Sequence, residues 1–413
     1  MRLVCRRFVD LASPLADRYI RYPITDLDPA DIRARARAVK LLSHVDSLSA
    51  ISRVTVSGVN NAKRTDYEAQ EQILKAHIVV LSEALQGASK LKHVTARTPW
   101  RMTRFLLEKL AHLPRIQSLD VLVSGQASCL AFGRIQTLTL RLVPHCTDRH
   151  GEILHTIPAL PELSRLKLES VWPREEWTRP VFARFNFGLY PKLTVLKLCG
   201  EAPPHYVDMF TGKTTSIKRC IIGDEHEPGV KLGLRLLEEV STFFSRFAEG
   251  LEALTVNFGV FNDISSSFPN LRSLKLVSTI YSPFDTIINI KSCPVTQLSL
   301  VCRGRTRDFL SKSIETFVPR FAATLQHLQL VRDPTRVFAA PPHTIRTLSW
   351  EATRELVSCQ NLKYLEIYGL LSVPWADMQT IGRAQPDLQG VMMTFPAFGD
   401  YRDRAECKVS FIS

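Results

Sequence analysis

The densest group of potential metal ligands in the sequence lies between residues 145 and 155. Imidazole, thiol and carboxylate groups gather there: His145, Cys146, Asp148, His150 and His155. A structural zinc site needs four ligands at set spacings, usually two close pairs joined by a longer loop. Two or three of these groups could bind zinc, but their spacing fits no closed four-ligand site. We therefore interpret the segment as a polar loop and expect no metal ion.

Known catalytic signatures are missing from the sequence. It contains no nucleophile elbow, phosphate-binding P-loop, dinucleotide-binding glycine fingerprint or His-Glu-x-x-His helix. Outside the segment just described, the histidines are spread singly along the chain. We therefore expect a protein that is not an enzyme and binds no cofactor.

Basic side chains recur on several candidate strands and could bind phosphate or carboxylate groups. They are Arg165, Lys167, Lys197, Arg219 and Lys275. Charge-assisted hydrogen bonds from such side chains recognise anionic groups strongly. Because neighbouring strands lie about 4.8 Å apart, we expect the first four to form one basic patch. The patch would bind an acidic or phosphorylated segment of a target protein; the alternative is a solvated face that only keeps the protein in solution.

Two tyrosines near the C-terminal end of the chain could anchor a partner. Tyr364 and Tyr368 alternate with Glu366 in the segment Tyr-Leu-Glu-Ile-Tyr. Side chains alternate across a strand, so these three share one face. Aromatic side chains are typical of binding hot spots. We expect both tyrosines to contact the partner, with packing at the edge of the core as the alternative.

The elements that must position these side chains share the motif Leu-x-x-Leu-x-Leu. It is complete in the stretch from Phe268 to Leu276, where a proline precedes it. Fourteen candidate strands begin with an apolar residue at intervals of about 26 residues, inside the range of roughly 20–29 residues for leucine-rich repeats. Their first residues are Ile51, Leu91, Ile116, Ile135, Leu163, Leu193, Ile217, Leu251, Leu271, Val295, Leu325, Ile345, Leu362 and Leu388.

Prolines and apolar stripes mark the segments between the strands. Proline stands two residues before five strands, where it stops a helix and favours an extended backbone. Helices are predicted where apolar residues recur three and four apart, from Met102 to Leu113, from Leu232 to Phe247 and from Leu310 to Phe321. Gly250 follows the second stripe, where a helix cap with positive φ is expected. The five prolines are Pro114, Pro161, Pro191, Pro269 and Pro386.

Helix, turn and strand in repetition resemble a leucine-rich-repeat array over residues 45–395. The predicted fold class is therefore α/β, a leucine-rich-repeat solenoid or horseshoe of irregular repeats. The leucines would face the core, and the third, fifth and seventh motif positions would face the concave side. The asparagine or cysteine expected eight residues after the first leucine is absent, with Glu201 and Thr279 at two such sites. The rival fold is an ordinary α/β domain with a parallel sheet.

The N-terminal segment has the pattern Leu3-x-Cys5-Arg6-Arg7-Phe8-x-Asp10-Leu11-Ala12-x-Pro14-Leu15. This pattern resembles the last helix of the F-box in fungal F-box proteins that carry leucine-rich repeats. An F-box begins with a Leu-Pro-x-Glu segment that would lie before Met1, so residues 1–22 are expected to be a partial, helical F-box-like remnant. The resemblance implies contact with a Skp-type adaptor through Leu3, Val4, Phe8, Leu11, Pro14 and Leu15. A connector is expected at 23–44 and a C-terminal cap or tail at 396–413.

Charge and composition indicate which partners and which cellular compartment to expect. The formal charge is +13, from 53 Lys and Arg against 40 Asp and Glu, and is dispersed along the chain. Basic residues interleaved with acids and without aromatic stacking partners argue against nucleic-acid binding.

The nine cysteines form no Cys-x-x-Cys pair, and no Asn-x-Ser/Thr sequon occurs. No apolar run reaches the roughly 18 residues of a membrane helix. These features predict a cytoplasmic or nuclear protein with free thiols and no membrane partner.

The resemblances imply a non-catalytic, protein-binding function. The repeat array would hold a target protein, and the N-terminal segment would tether it to an SCF-type ubiquitin ligase as a substrate-recognition subunit. The alternative is a free-standing leucine-rich-repeat interaction scaffold that binds no adaptor.

Overall fold

The protein is described by a computed structural model that divides into two compact units. Unit 1 comprises residues 1–195 and 208–212, and unit 2 comprises residues 196–207 and 213–413. The structure describes residues 19–23, 53–57, 72, 75, 76, 78, 79, 81–83, 85, 90–97, 100–111, 113, 115–123, 133–142, 159–170, 185–200, 210–223, 242–257, 267–278, 293–302, 309–332, 346–347, 349–368, 371–372, 375–396 and 404–409.

Unit 1 is built on a parallel sheet whose strands follow one another in chain order. Helix α1 (Trp100–Leu110) lies between the third and fourth strands. The sheet strands are β1 (Tyr19–Pro23), β2 (Arg53–Ser57), β3 (His93–Arg97), β4 (Ser118–Val123), β5 (Thr137–Leu142) and β6 (Arg165–Ser170). The short strands β7 (Phe185–Asn186) and β9 (Phe210–Thr211) pair separately, and β8 (Val195–Gly200) begins at the last residue before the boundary.

Unit 2 has the same plan, and three helices of it have bounds that the structure describes. Its parallel strands also run in chain order, and the last strand pairs antiparallel with the one before it. The strands are β10 (Arg219–Ile222), β11 (Ala253–Asn257), β12 (Ser273–Ser278), β13 (Gln297–Cys302), β14 (His327–Arg332), β16 (Tyr364–Tyr368), β18 (Gly390–Pro396) and β19 (Arg404–Val409), with β15 (Arg346–Thr347) and β17 (Leu371–Ser372) in a separate pair. The helices are α2 (Phe309–Phe321), α3 (Trp350–Val357) and α4 (Trp375–Ala384).

The core of each unit lies on one side of its strands. In β6 and in β12 the leucines are buried, whereas the residues between them, such as Lys167 and Lys275, are partly exposed. This alternation is uncommon for a parallel sheet covered by helices on both faces, whose strands are apolar throughout. The arrangement is compatible with a solenoid-like α/β fold, in which each repeat buries its apolar side by stacking on its neighbours.

A tight turn precedes several of the leucines that begin a motif. The N–H of Leu163 donates to the carbonyl of Leu160 over 3.0 Å, and the N–H of Leu271 donates to that of Phe268 over 3.2 Å. Pro161 or Pro269 therefore occupies the second position of a β-turn, where its fixed φ is favourable. These prolines were predicted to lie in an extended segment, but the turn's hydrogen bond gives them a different role.

A backbone ladder joins successive strands. The carbonyl of Gln136, immediately before β5, accepts the N–H groups of Ser164, immediately before β6, and of Arg165, the first residue of β6, over 2.8 and 2.9 Å. The same double acceptance recurs at the carbonyls of Lys92, Gln117, Ser164, Lys218, Glu252, Arg272, Thr296, Gln326 and Lys363. Because only backbone atoms take part, these connections tolerate different side chains and different interval lengths.

Asparagine also connects repeats, although not at the position expected from regular arrays. Asn270 and Asn361 stand immediately before the first leucine of their motifs. Their Nδ2 atoms donate over 2.7 Å to the carbonyls of Glu249 and Ala323, which precede the neighbouring strand. The side-chain links therefore lie before the strand rather than eight residues after its first leucine.

The helices of unit 2 pack in succession, α2 on α3 and α3 on α4. Ser349 caps the N-terminus of α3, since its side chain accepts the N–H of Ala352 over 3.0 Å. The buried Gln385 donates from Nε2 to the carbonyls of Leu356 and Val357 over 3.1 and 2.9 Å. The segment after α4 thereby satisfies two carbonyls at the C-terminal end of α3.

Helix predictions are confirmed for two of the three apolar stripes, which correspond to α1 and α2. The second stripe ends in a short helical stretch from 242 to 245 and a 3-10 turn at Ala248–Gly250; residues 224–241 lie outside the described part. The positive φ expected at Gly250 is wrong. Glycine is required there because a Cβ atom would collide with the backbone of Thr215.

Two further expectations need correction. The repeat predicted at Ile345 adds no strand to the main sheet of unit 2, because β14 pairs directly with β16 and the adjacent β15 pairs with β17. The helical remnant predicted for residues 1–22 does not reach its end, because Tyr19–Pro23 is strand β1. The aromatic and β-branched residues of that segment favour a strand.

Candidate functional site

The strand face of unit 1 carries a cluster of four charged side chains, here called the paired cluster: Asp120, Arg141, Lys167 and Glu169. Arg141 donates from Nε to Asp120 over 2.8 Å and from Nη1 to Glu169 over 2.7 Å. Lys167 Nζ lies 2.6 Å from Glu169 Oε2, although the pair is not aligned as a hydrogen bond. The charges of the cluster therefore sum to zero.

The position of these side chains follows from the register. Thr139 of β5 pairs with Lys167 of β6, and Arg141 pairs with Glu169. Burial of the Arg141 guanidinium acts to lower its pKa, but hydrogen bonds and charge from the two carboxylates outweigh it, so the pKa is raised above its ordinary value. The guanidinium therefore stays charged and holds the two acids together.

The strand face of unit 2 carries a second polar cluster, here called the open cluster: Ser299, Gln329, Glu366 and Tyr368. Ser299 Oγ donates to Gln329 Oε1 over 2.7 Å, and Gln329 Nε2 donates to Glu366 Oε2 over 2.8 Å. The hydroxyl of Tyr368 donates to the same carboxylate oxygen over 3.0 Å. Three neighbouring strands are thereby linked, with Glu366 as the single acid of the cluster.

Two aromatic groups border the open cluster. Tyr364 is 45% exposed, and its hydroxyl donates to Gln389 over 2.6 Å. Its ring lies against Gly390 on one side and approaches His327 edge-on on the other, with ring centroids 5.9 Å apart. His327 Nε2 lies 3.0 Å from Glu366 Oε1 without the alignment of a hydrogen bond. Tyr364 is thus fixed in place yet remains largely accessible.

The comparisons with known proteins do not identify the chain. No protein-family model matches it, and no curated protein matches it. A solved structure of a protein from Bacteroides fragilis is distantly similar, with 11% identity, coverage of 90% of this chain and 74% of that one, and a TM-score of 0.26. A similarity at that level carries no argument about function.

The structure distributes the predicted basic residues over both units. Arg165 and Lys167 belong to β6 of unit 1, whereas Lys197 and Arg219 belong to the neighbouring strands β8 and β10 of unit 2. Lys167 already forms an ion pair with Glu169. Whether the four residues act as one patch stays a prediction. Lys275 lies in β12, in register with Ser299.

Several predicted site residues lie outside the described part of the chain. They are the adaptor-binding residues Leu3, Val4, Phe8, Leu11, Pro14 and Leu15, and the potential ligands His145, Cys146, Asp148, His150 and His155. Within the residues that the structure does describe, no group of three or more His, Cys, Asp or Glu side chains could hold a metal ion. In the same residues, no helix is both long and apolar enough to cross a membrane.

Sequence reasoning placed Glu366 on one face with Tyr364 and Tyr368 but missed Asp120, Glu169 and Gln329. Asp120 and Glu169 occupy the fifth and seventh motif positions of their strands, and Gln329 and Glu366 both occupy the fifth. A register of the predicted strands would have placed them beside Arg141 and Tyr368. The sequence-based prediction for this face rested on basic residues and tyrosines, so the pairing of Arg141 with Asp120 and Glu169 was not predicted.

Proposed function

We propose that the chain is a non-catalytic protein-binding subunit whose repeats build a leucine-rich-repeat solenoid and whose strand face holds a target protein. The support comes from the two-sided strands of each unit, which bury leucines on one side and present polar side chains in register on the other. The chain-order strands also differ from a doubly wound sheet, whose strand order reverses at a switch point.

Accessible side chains on the strand face carry this proposal. Arg165 in unit 1 and Tyr364 in unit 2 are exposed although they lie within sheet strands. Tyr364 is one of two large apolar side chains that are exposed in the described part of the chain. Rigid strands that present arginine and tyrosine offer the residue types found at binding hot spots.

The N-terminal resemblance extends the proposal to a substrate-recognition subunit of an SCF-type ubiquitin ligase. Its support is the pattern around Phe8 and Leu11, followed in the sequence by the repeats. The alternative is a free-standing interaction scaffold. Copurification of the full-length chain with a purified Skp-type adaptor separates the two, because binding lost in a Phe8→Asp, Leu11→Asp variant supports the ligase role. Absence of binding by the unaltered chain removes that role and leaves the scaffold.

Target binding is tested by affinity purification of the full-length chain and mass spectrometry of the bound proteins. Strand-face variants Arg165→Glu and Tyr364→Ala are compared with Lys312→Glu, which changes an exposed residue of helix α2. We expect at least one bound protein to fall about tenfold with a strand-face variant and to remain with the helix variant. If all variants retain the same proteins, the strand face does not bind the target.

A further inference from the structure

We propose that the open cluster binds the guanidinium group of an arginine in the target protein, with Glu366 as the ion-pair partner and Tyr364 as the aromatic wall. This proposal rests on the proposed protein-binding function and adds a chemical class of ligand. The basic residues of the strand face predicted an acidic partner, whereas Glu366 presents the opposite charge.

Glu366 is held in a fixed orientation by neutral donors. Gln329 Nε2 and the Tyr368 hydroxyl both donate to Oε2, over 2.8 and 3.0 Å. Gln329 is itself fixed because its Oε1 accepts the hydroxyl of Ser299. Oε1 of Glu366 has no aligned donor among the described residues, since His327 Nε2 lies 3.0 Å away without the alignment of a hydrogen bond. One carboxylate oxygen is therefore oriented and available for a further donor.

Among the described residues, no lysine or arginine contacts Glu366. Its contacts among the described residues are the amide of Gln329, the hydroxyl of Tyr368 and the imidazole of His327. The Glu366 side chain is 21% exposed, so an ion pair formed there is less screened than one at an open surface. An incoming cation would meet a carboxylate that has already lost much of its water.

The surrounding groups favour arginine over lysine. Guanidinium is planar, stacks on aromatic rings and is more weakly hydrated than ammonium. Tyr364 and Tyr368 stand two residues before and after Glu366 on the same strand, so their rings border the carboxylate on both sides. Cations bind over tyrosine rings within about 6 Å of the centroid. An arginine can thus pair with Oε1 while its guanidinium contacts the exposed part of the Tyr364 ring.

Matched probes test this assignment on the full-length protein. N-acetylarginine amide and its neutral isostere N-acetylcitrulline amide are titrated to about 10 mM, above the millimolar dissociation constants of weak single contacts, and binding is followed by ligand-observed NMR. We expect arginine to bind about tenfold more tightly than citrulline, since the ion pair accounts for the difference. N-acetyllysine amide should bind more weakly than arginine.

Variants locate the binding site. Glu366→Gln keeps an acceptor for Gln329 and Tyr368, so we expect it to remain folded and to lose the preference for arginine over citrulline. Tyr364→Leu leaves the carboxylate in place and should weaken arginine binding about threefold to fivefold. Glu169→Gln is the matched control, because Glu169 is 22% exposed but already contacts Arg141 and Lys167; arginine binding should change less than twofold.

Three results would overturn the proposal: equal binding of arginine and citrulline, an unaltered preference in Glu366→Gln, or tighter binding of lysine than of arginine. Loss of the preference in Glu366→Gln, with circular dichroism equal to that of the unaltered protein, supports it. The proposed protein-binding function is tested independently of the arginine site. If arginine binds at Glu366 but no protein depends on the strand face, protein binding is rejected while the arginine site stands.

Discussion

Glu169 in unit 1 and Glu366 in unit 2 are carboxylates on strand faces. Their side chains are equally buried but have different contact partners. Glu169 is 22% exposed and contacts Arg141 and Lys167. Glu366 is 21% exposed and is held by an amide and a hydroxyl. The paired cluster balances its own charges, whereas in the open cluster neutral donors orient an acid that contacts no lysine or arginine among the described residues. Equal burial therefore accompanies internal charge pairing in one unit and, in the other, the acid for which we propose a binding role.

The largest effect is expected when the paired cluster loses its central cation. Arg141→Met leaves Asp120 without its partner and Glu169 with Lys167 alone, so we expect a loss of about 2–4 kcal/mol in the free energy of unfolding. Urea denaturation followed by circular dichroism measures the loss. Arg165→Met, an exposed change on the same face, is the control and should cost less than about 0.5 kcal/mol. Equal costs would show that the ion pairs do not stabilise unit 1.

Matched carboxylate variants test the contrast directly. Glu169→Gln removes the charge that pairs with Arg141 and Lys167, and should cost about 1–2 kcal/mol. Glu366→Gln keeps an acceptor for its two neutral donors and should cost less than about 0.5 kcal/mol. The same urea titration compares the two. If Glu366→Gln is the more costly change, the open cluster contributes to stability through charge, contrary to our interpretation.

Gln329→Leu examines what holds the open cluster together. The change removes the amide that links Ser299 to Glu366 and should cost about 1 kcal/mol, the value of a typical hydrogen bond. Because no salt bridge with lysine or arginine is lost, 1 M NaCl should leave this cost unaltered, whereas it should reduce the cost of Arg141→Met. A marked salt dependence of Gln329→Leu would contradict the neutral description of the linkage.

Alkaline pH should weaken unit 2 through its thiols. Burial raises the pKa of Cys359 to about 12 and also raises the pKa of Cys220. The thiol contribution is therefore complete below the ordinary thiol pKa of about 8.5 and is lost as pH rises toward the folded value. At pH 9 the two thiols should each lower the free energy of unfolding by on the order of 1 kcal/mol. Urea titrations at pH 7 and 9 measure this loss, and Cys359→Ala should show a smaller decrease than the unaltered protein.

The strands of the fold could be predicted from sequence because their signal is repeated and local. Each predicted motif start except Ile345 leads, two residues later, to a strand of one of the parallel sheets. The repeat predicted at Ile345 was wrong because three apolar residues at the right spacing do not determine which strands pair with each other. The short pairs β7 with β9 and β15 with β17 were not predicted, since two-residue strands leave no pattern.

The candidate site was less predictable because it depends on relations between distant residues. Arg141 and Asp120 are 21 residues apart, and Gln329 and Glu366 are 37 apart. The sequence did not determine whether the side chains of Tyr364 and Tyr368 are buried or exposed. It did predict that they share one face, because side chains alternate along a strand. The role of Gly250 was also misjudged, since the backbone of Thr215 that approaches it belongs to an earlier segment.

The backbone ladder has a consequence for protein synthesis. In each link the accepting carbonyl lies at the start of the earlier strand and the two donating N–H groups lie at the start of the later one, as with Gln136 and the following Ser164 and Arg165. The ribosome delivers the N-terminal strand first, so the later strand of each described link meets an acceptor that is already in place. Within each unit, folding can therefore proceed one strand at a time behind the ribosome, and a nascent chain stopped at any repeat should already hold the strands before it.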